Sequence, residues 1–271
     1  MNTHPSLSGR WALILGASSG FGAAAARALA RAGMNICGIH LDPRRSLAQA
    51  QAVVADVEAA GSRAIFFNTN AADPRRRARA IEQLAAMLAD DPHPTIHLLV
   101  HTLAFGSLRP FISDDPTERT TEAQLEMTLR VMAHSLVYWT QELLAAQLLG
   151  PGSRIYTLSS IGAERASAYY GAVSAAKAAL ESHARQLALE LGPQRIAVNC
   201  LRPGVTDTPA LRAIPNHEQI LATVAAHHPQ QRLTTPEDVA QVLVALADPR
   251  ITWISGATIP IDGGESIVGL A

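Results

Sequence analysis

The feature that most constrains this chain is a glycine turn set between an apolar run and a helix-forming run. Trp11–Leu15 is apolar throughout, Gly16-Ala17-Ser18-Ser19-Gly20-Phe21-Gly22 follows it directly, and the alanine-rich stretch 23–32 is stopped by Gly33. A short apolar run of this kind reads as a strand covered on both faces, and the alanine-rich stretch reads as a helix. Glycines let the backbone turn tightly and approach an anion, whose charge the free amides and dipole of a helix N-terminus favour. The setting therefore points to a dinucleotide pyrophosphate held on Gly16, Ser18, Ser19, Gly20, Phe21 and Gly22. The spacing is G-x-x-x-G-x-G, not the ordinary G-x-G-x-x-G.

The same alternation runs on to the end of the chain. Apolar runs at Asn35–His40, 63–67, 96–100, 155–159, 196–199 and Thr258–Ile261 predict strands, with helices expected over 47–60, 74–89, 121–149, 168–191 and from Pro236 onward. Asp73-Pro74 supplies a cap and a first-turn proline, and Thr235-Pro236-Glu237-Asp238 opens the last helix. Strands apolar on both faces, each followed by a helix, predict an α/β fold: one doubly wound, Rossmann-type parallel sheet of about seven strands with helices on both faces. The 271 residues are 48% apolar and 17% charged, which suits one such domain and excludes a disordered chain. A net charge of −1 gives no electrostatic case for nucleic acid or an anionic membrane. Cys37 and Cys200 are too few for a disulfide framework and sit in apolar stretches, where inert buried thiols are expected. No apolar run reaches the roughly 18 residues of a membrane span, and the opening residues lack a signal-peptide pattern. A cytoplasmic protein is expected. The stretch 206–232 breaks the rhythm with Pro209, Pro215 and Pro229, and is expected to be a substrate lid.

The glycine spacing resembles that of the short-chain dehydrogenase/reductase family, and the resemblance extends over about residues 8–264. Pro203-Gly204-Val205-Thr206-Asp207-Thr208 is similar to the family's PG-x-x-x-T turn. The resemblance implies that Pro203, Gly204, Val205 and Thr208 hold the nicotinamide carboxamide. The stretches 232–240 and Ile261-Asp262-Gly263-Gly264 also match. Most members place a tyrosine four residues before the catalytic lysine, but here Val173 stands four before Lys177 and Tyr170 stands seven before it. That spacing resembles enoyl-acyl-carrier-protein reductases, as do the runs 162–166 and 100–106. The run 106–110 with Ile214-Pro215-Asn216 looks most like their NADPH-using type III branch.

The resemblance implies Tyr170 and Lys177 as catalytic groups, with Ser160 aligned to the family's catalytic serine. A hydroxyl set back along the chain suits charge developing on a thioester oxygen rather than on an alkoxide oxygen next to the carbon that receives hydride. Two helical turns separate Tyr170 from Lys177, so both are expected on one helix face, with Tyr169 packing on another. The proton-relay asparagine of ordinary relatives is replaced by Arg130. His40 ends the second strand, with Asp42 and then Arg44-Arg45 beyond. Ser18, Arg44 and Arg45 could take a 2′-phosphate while Asp42 pulls the other way, so NADP(H) is favoured and NAD(H) is the alternative. Asn70 and Ala71 would flank the adenine, and Leu103 and Ala104 follow the fourth strand. His93, His97 and His101 run from a loop into a strand and predict no metal site.

The expected activity is NAD(P)H-dependent reduction of the carbon–carbon double bond of acyl-carrier-protein or coenzyme A enoyl thioesters. The alternative is a ketoreductase or carbonyl reductase, and a non-catalytic dinucleotide sensor is a third reading. A homo-oligomer, expected as a tetramer, would use the 121–149 and 168–191 helices, with Ala172, Ala175, Ala176 and Ala179 permitting close approach.

Overall fold

The computed structural model describes residues 6–268. Seven strands form one parallel sheet: β1 Trp11–Leu15, β2 Asn35–His40, β3 Ala64–Asn68, β4 Ile96–His101, β5 Arg154–Leu158, β6 Ala197–Pro203 and β7 Thr258–Ile261, in spatial order β3-β2-β1-β4-β5-β6-β7. Every strand points the same way, so all seven carboxyl ends lie along one edge. The chain winds outward in both directions from β1, which pairs with β2 on one side and β4 on the other. Such a reversal opens a crevice beyond the strand ends.

Alternation along the buried strands feeds two cores. Trp11, Leu13, Leu15, Leu99, Ile155 and Val198 face helices α3 (Pro74–Leu88), α5 (Ser135–Ala145) and α6 (Gly171–Leu191). Ala12, Ile14, Ile36, Val100, Tyr156 and Leu201 face α1 (Gly20–Arg31), α2 (Leu47–Ala59) and the C-terminal α9 (Pro236–Leu246). Successive strand residues thus serve opposite layers, as a period of two requires. The expected caps form. Asp73 accepts from the Arg76 amide, and Thr235 and Asp238 make a reciprocal capping box.

The expected long helix over 121–149 is instead two helices joined by a wide turn. α4 (Glu122–Leu129) passes into a π-helical turn at Arg130–His134 before α5. Ser135 donates to the Val131 carbonyl at 2.7 Å and bonds the buried His101 Nε2 at 2.8 Å, tying this wide turn to the end of β4. α5 stops at Ala145, short of Gly150. Gln147 takes φ 57°, and the amides of Gln147 and Leu148 return to the carbonyls of Leu144 and Leu143. A second difference lies at α6, which begins at Gly171 rather than near residue 168. Tyr169 takes φ 63°, and Tyr170 is the cap, so neither residue is on a helix face.

The 206–232 stretch is largely helical, with α7 (Pro209–Arg212) and α8 (His217–His227), and α8 buries none of its residues. No helix among the described residues is long and apolar enough to cross a membrane. Replacing Asp73 by Ala removes the cap of α3 and is expected to cost about 1 kcal/mol in urea unfolding, with an unchanged denaturant slope.

Candidate active site

The glycine turn caps the carboxyl end of β1. Gly16 takes φ 97°, a backbone conformation that suits glycine, and its amide and that of Ala17 donate to the Ile39 carbonyl. Gly22 is required by space, because a Cβ there would lie 2.0 Å from the Gly16 carbonyl oxygen. Ser19 leads extended into α1 without a side-chain cap, and no acid occupies the first turn of the helix. The amide donors of this helix end are left to an anion. Thr102, just past β4, donates to the Leu15 carbonyl at 2.8 Å and locks the turn to the next strand, with Leu103 and Ala104 continuing from it.

At the end of β2, His40 Nδ1 lies 2.8 Å from Asp42 Oδ2, and Ser46 donates to Asp42 Oδ1 at 3.1 Å. Asn68 holds the Asp42 backbone through both its amide and its carbonyl. Burial pushes the Asp42 carboxyl up, but hydrogen bonds from Ser18, His40 and Ser46 outweigh it and hold the group below the usual carboxylate range. Asp42 thus reaches the glycine turn itself. Arg44 and Arg45 form an exposed single turn before α2. Asn70 folds back on its own turn by accepting from the Ala72 amide, and the Ala71 carbonyl is taken by Trp139.

The end of β6 carries Pro203 and the turn that follows. Gly204 leaves no room for a side chain: a Cβ would meet Thr234 Oγ1 at 2.5 Å and Glu265 Oε2 at 2.6 Å. Glu265 accepts from the Val205 amide at 2.7 Å, and Thr208 caps α7 through the Leu211 amide. Burial raises the Glu265 carboxyl above its ordinary value. The sequence reasoning passed over Glu265, since nothing in its spacing relates it to residue 205.

Tyr170 and Lys177 converge on the carboxyl end of β5 from different directions. Lys177 lies buried in α6 and donates from Nζ to the Leu158 carbonyl at 2.6 Å. Burial lowers its ammonium from the ordinary lysine range to about 8, and the Glu181 carboxylate opposes that fall. Two residues on, Ser160 accepts from the Gly162 amide at 3.1 Å and bonds the Tyr170 hydroxyl. Burial raises the Tyr170 phenol, and the Ser160 bond opposes that rise. The Tyr170 ring lies on Gly162, where an added Cβ would come within 2.5 Å of it. Val173 is buried with Met132 and Ala176 and offers no proton.

One expected placement changes here. Tyr169 is partly exposed rather than packed, and Arg130 is an exposed residue at the start of the π turn. His101 is fully buried, and burial followed by the nearby Lys177 charge lowers it to about 3, so it is neutral. His97 is separately engaged by the Ala247 carbonyl, so these histidines do not converge.

A glycine-turn cradle, a tight turn beyond β6 and a Tyr–Lys pair on β5 therefore share the carboxyl edge of one doubly wound sheet. Residues 16–266 match the family model described as enoyl-(acyl carrier protein) reductase. The chain belongs to the short-chain dehydrogenase/reductase family. It is 30% identical over 177 residues to the NADH-dependent enoyl-[acyl-carrier-protein] reductase FabI of Escherichia coli strain K12, covering 65% of this chain and 66% of that protein. It is 28% identical over 270 residues to the short-chain dehydrogenase/reductase FrzI of a Cladobotryum species, covering 97% and 98%. A crystal structure of the Anaplasma phagocytophilum enoyl-(acyl-carrier-protein) reductase with NAD superposes with a TM-score of 0.83 at 22% identity, covering all of this chain and 96% of that one. The family makes this an NAD(P)H-dependent oxidoreductase that binds a nicotinamide dinucleotide.

The Gly162 contact gives a direct test of where Tyr170 acts. Gly162→Ala is expected to displace the phenol ring while leaving the glycine turn intact. Turnover should fall about 10²-fold, with cofactor affinity by fluorescence titration nearly unchanged.

Proposed function

We propose that the protein reduces the carbon–carbon double bond of enoyl thioesters. One observation carries this reading: the phenol at the end of β5 is Tyr170, seven residues before Lys177, while the position four before it is the buried Val173. A reduced nicotinamide held on the cradle supplies hydride to the substrate β-carbon. Negative charge then collects on the thioester oxygen, three bonds from that carbon and two farther than in a ketone. The Tyr170 hydroxyl, oriented by Ser160 and by the ring's contact with Gly162, donates a hydrogen bond to that oxygen. The Lys177 ammonium binds the nicotinamide ribose and favours the same charge. Protonation at the α-carbon completes the saturated thioester.

A second reading, reduction of a ketone or a 3-oxoacyl thioester, is favoured by the Ser160–Tyr170 hydrogen bond, because that pair can deliver a proton to an alkoxide. Steady-state rates decide between them. Crotonyl thioester turnover should exceed that of the matching 3-oxoacyl thioester and fall about 10²-fold or more in Tyr170→Phe. The reverse order of substrates selects carbonyl reduction.

For the cofactor, Asp42 argues for NAD(H) over the NADP(H) expected from Arg44 and Arg45. A carboxylate already bonded by His40 and Ser46 and reaching Ser18 suits a ribose diol and repels a 2′-phosphate. Asp42→Ser is expected to narrow the preference for NADH over NADPH by about tenfold in titrations, one charge-assisted bond's worth. The 206–232 segment fits a lid, since Leu211, Ile220, Leu221 and Val224 stay only partly covered. An acyl chain borne on acyl-carrier protein or coenzyme A would cover them. Assembly of copies through α4–α5 and α6 would use Ala175 and Ala179, because Ala172 and Ala176 are buried within the chain.

A further inference from the structure

One turn beyond Lys177 on α6, and nearly as deeply buried, lies a carboxylate with no part in the chemistry described above. Glu181 Oε1 accepts from the Ser159 hydroxyl at 2.5 Å and from Arg202 at 3.1 Å, and Oε2 lies 3.3 Å from the same guanidinium nitrogen. That nitrogen also donates to Glu164 at 2.6 Å, on the loop that leads to Tyr170. The result is a row of alternating charge, Lys177, Glu181, Arg202 and Glu164, running from the buried ammonium to the surface. Three consecutive residues at the end of β5 are each engaged by one part of the site. Leu158 bonds Lys177, Ser159 bonds Glu181, and Ser160 bonds Tyr170.

We propose that Glu181 is the positioning residue for Lys177: clamped between the Ser159 hydroxyl and the Arg202 guanidinium, its carboxylate keeps the lysine a cation directed at the end of β5. The geometry supports this in two ways. Residues four apart on a helix lie on the same face, and Lys177 and Glu181 are both buried there against the end of β5 through Leu158 and Ser159. The double clamp also fixes the carboxylate in place one turn from Lys177. The other groups around the ammonium do not supply a negative charge. His101 on β4 is neutral, and burial pushes the Cys200 thiol on β6 up to about 12. Arg185 on α6 adds positive charge toward Cys200. Glu181 is the carboxylate that acts on the lysine, and it opposes the loss of charge that burial promotes.

The inference rests on the placing of Lys177 at the nicotinamide ribose, and its test needs no substrate. NADH affinity is measured by fluorescence titration between pH 6 and pH 10, with folding of each variant checked by its thermal melt. The wild-type protein should lose affinity with an inflection near the lysine value of about 8. Glu181→Gln should move that inflection about one unit or more toward acid, because an opposite charge nearby is removed. Glu181→Asp should restore most of the difference. Ser159→Ala, which frees the carboxylate to swing toward Arg202, should move the inflection in the same direction by less, and this arm stands alone if Glu181→Gln does not fold. A merely structural Glu181 would lower the melting temperature and weaken binding equally at every pH. An inflection unmoved in the folded variants overturns the proposal. A wild-type affinity independent of pH overturns it together with the ribose role of Lys177. Neither result depends on whether the substrate is an enoyl thioester.

Discussion

The burial of one ammonium group governs how the rest of this site is built. Taking Lys177 out of water disfavours its charge, and the protein answers with a carbonyl from the last residue of β5 and a carboxylate one helical turn away. The carboxylate in turn needs partners, which Ser159 and Arg202 provide. Each group in the chain of contacts is required because the one before it is buried. The strand end is held as a consequence, and that strand end carries Ser160, which bonds Tyr170. The burial of the Lys177 cation and the placing of the Tyr170 phenol are therefore settled at the same strand end.

The parallel sheet makes this concentration of groups possible. With every strand pointing one way, the residues that leave the strand ends meet along one edge, although they lie far apart in the chain. Thr102 closes on the glycine turn, His40 and Asp42 meet Ser18, and Glu265 reaches back to Val205. A binding crevice at such an edge is a property of the winding, whereas its chemistry comes from the few residues that project there.

Much of this was readable from the residue order because the relevant signals are local. Apolar runs of strand length, the glycine turn, the Asp73-Pro74 and Thr235-Pro236-Glu237-Asp238 caps, and the Tyr170–Lys177 spacing each fall within a few residues of one another. The π turn at Arg130–His134 was not readable, since it is tied through Ser135 to His101 at the end of β4, a residue far off in the chain. The early stop of α5 depends on Gln147, a residue without glycine's usual claim to a left-handed conformation. The placing of Tyr170 before α6 rather than on it follows from the left-handed Tyr169, and no helix-period pattern could reveal that. Glu181 was legible in principle, being one turn from Lys177. Its significance comes only from Ser159 and Arg202, which the fold supplies.

The residues after β7 show how distant parts of the site are held to a common frame. Asp262 accepts from the amides of Gly264 and Ser266, which folds the tail into a compact turn, and the Asp262 carbonyl takes the buried His228 at the far root of the 206–232 segment. From the same turn, Glu265 holds the Val205 amide, and the Ser266 carbonyl accepts from Arg165 on the loop before Tyr170. The turn after β6, the loop before Tyr170 and the root of the 206–232 segment are thus fastened to five consecutive residues. The root at His228 is fixed in this way while α8 buries nothing, so any rearrangement of the segment has its pivot next to the turn after β6. Movement above the crevice and the positioning of Val205 would then be mechanically linked through one short stretch of backbone.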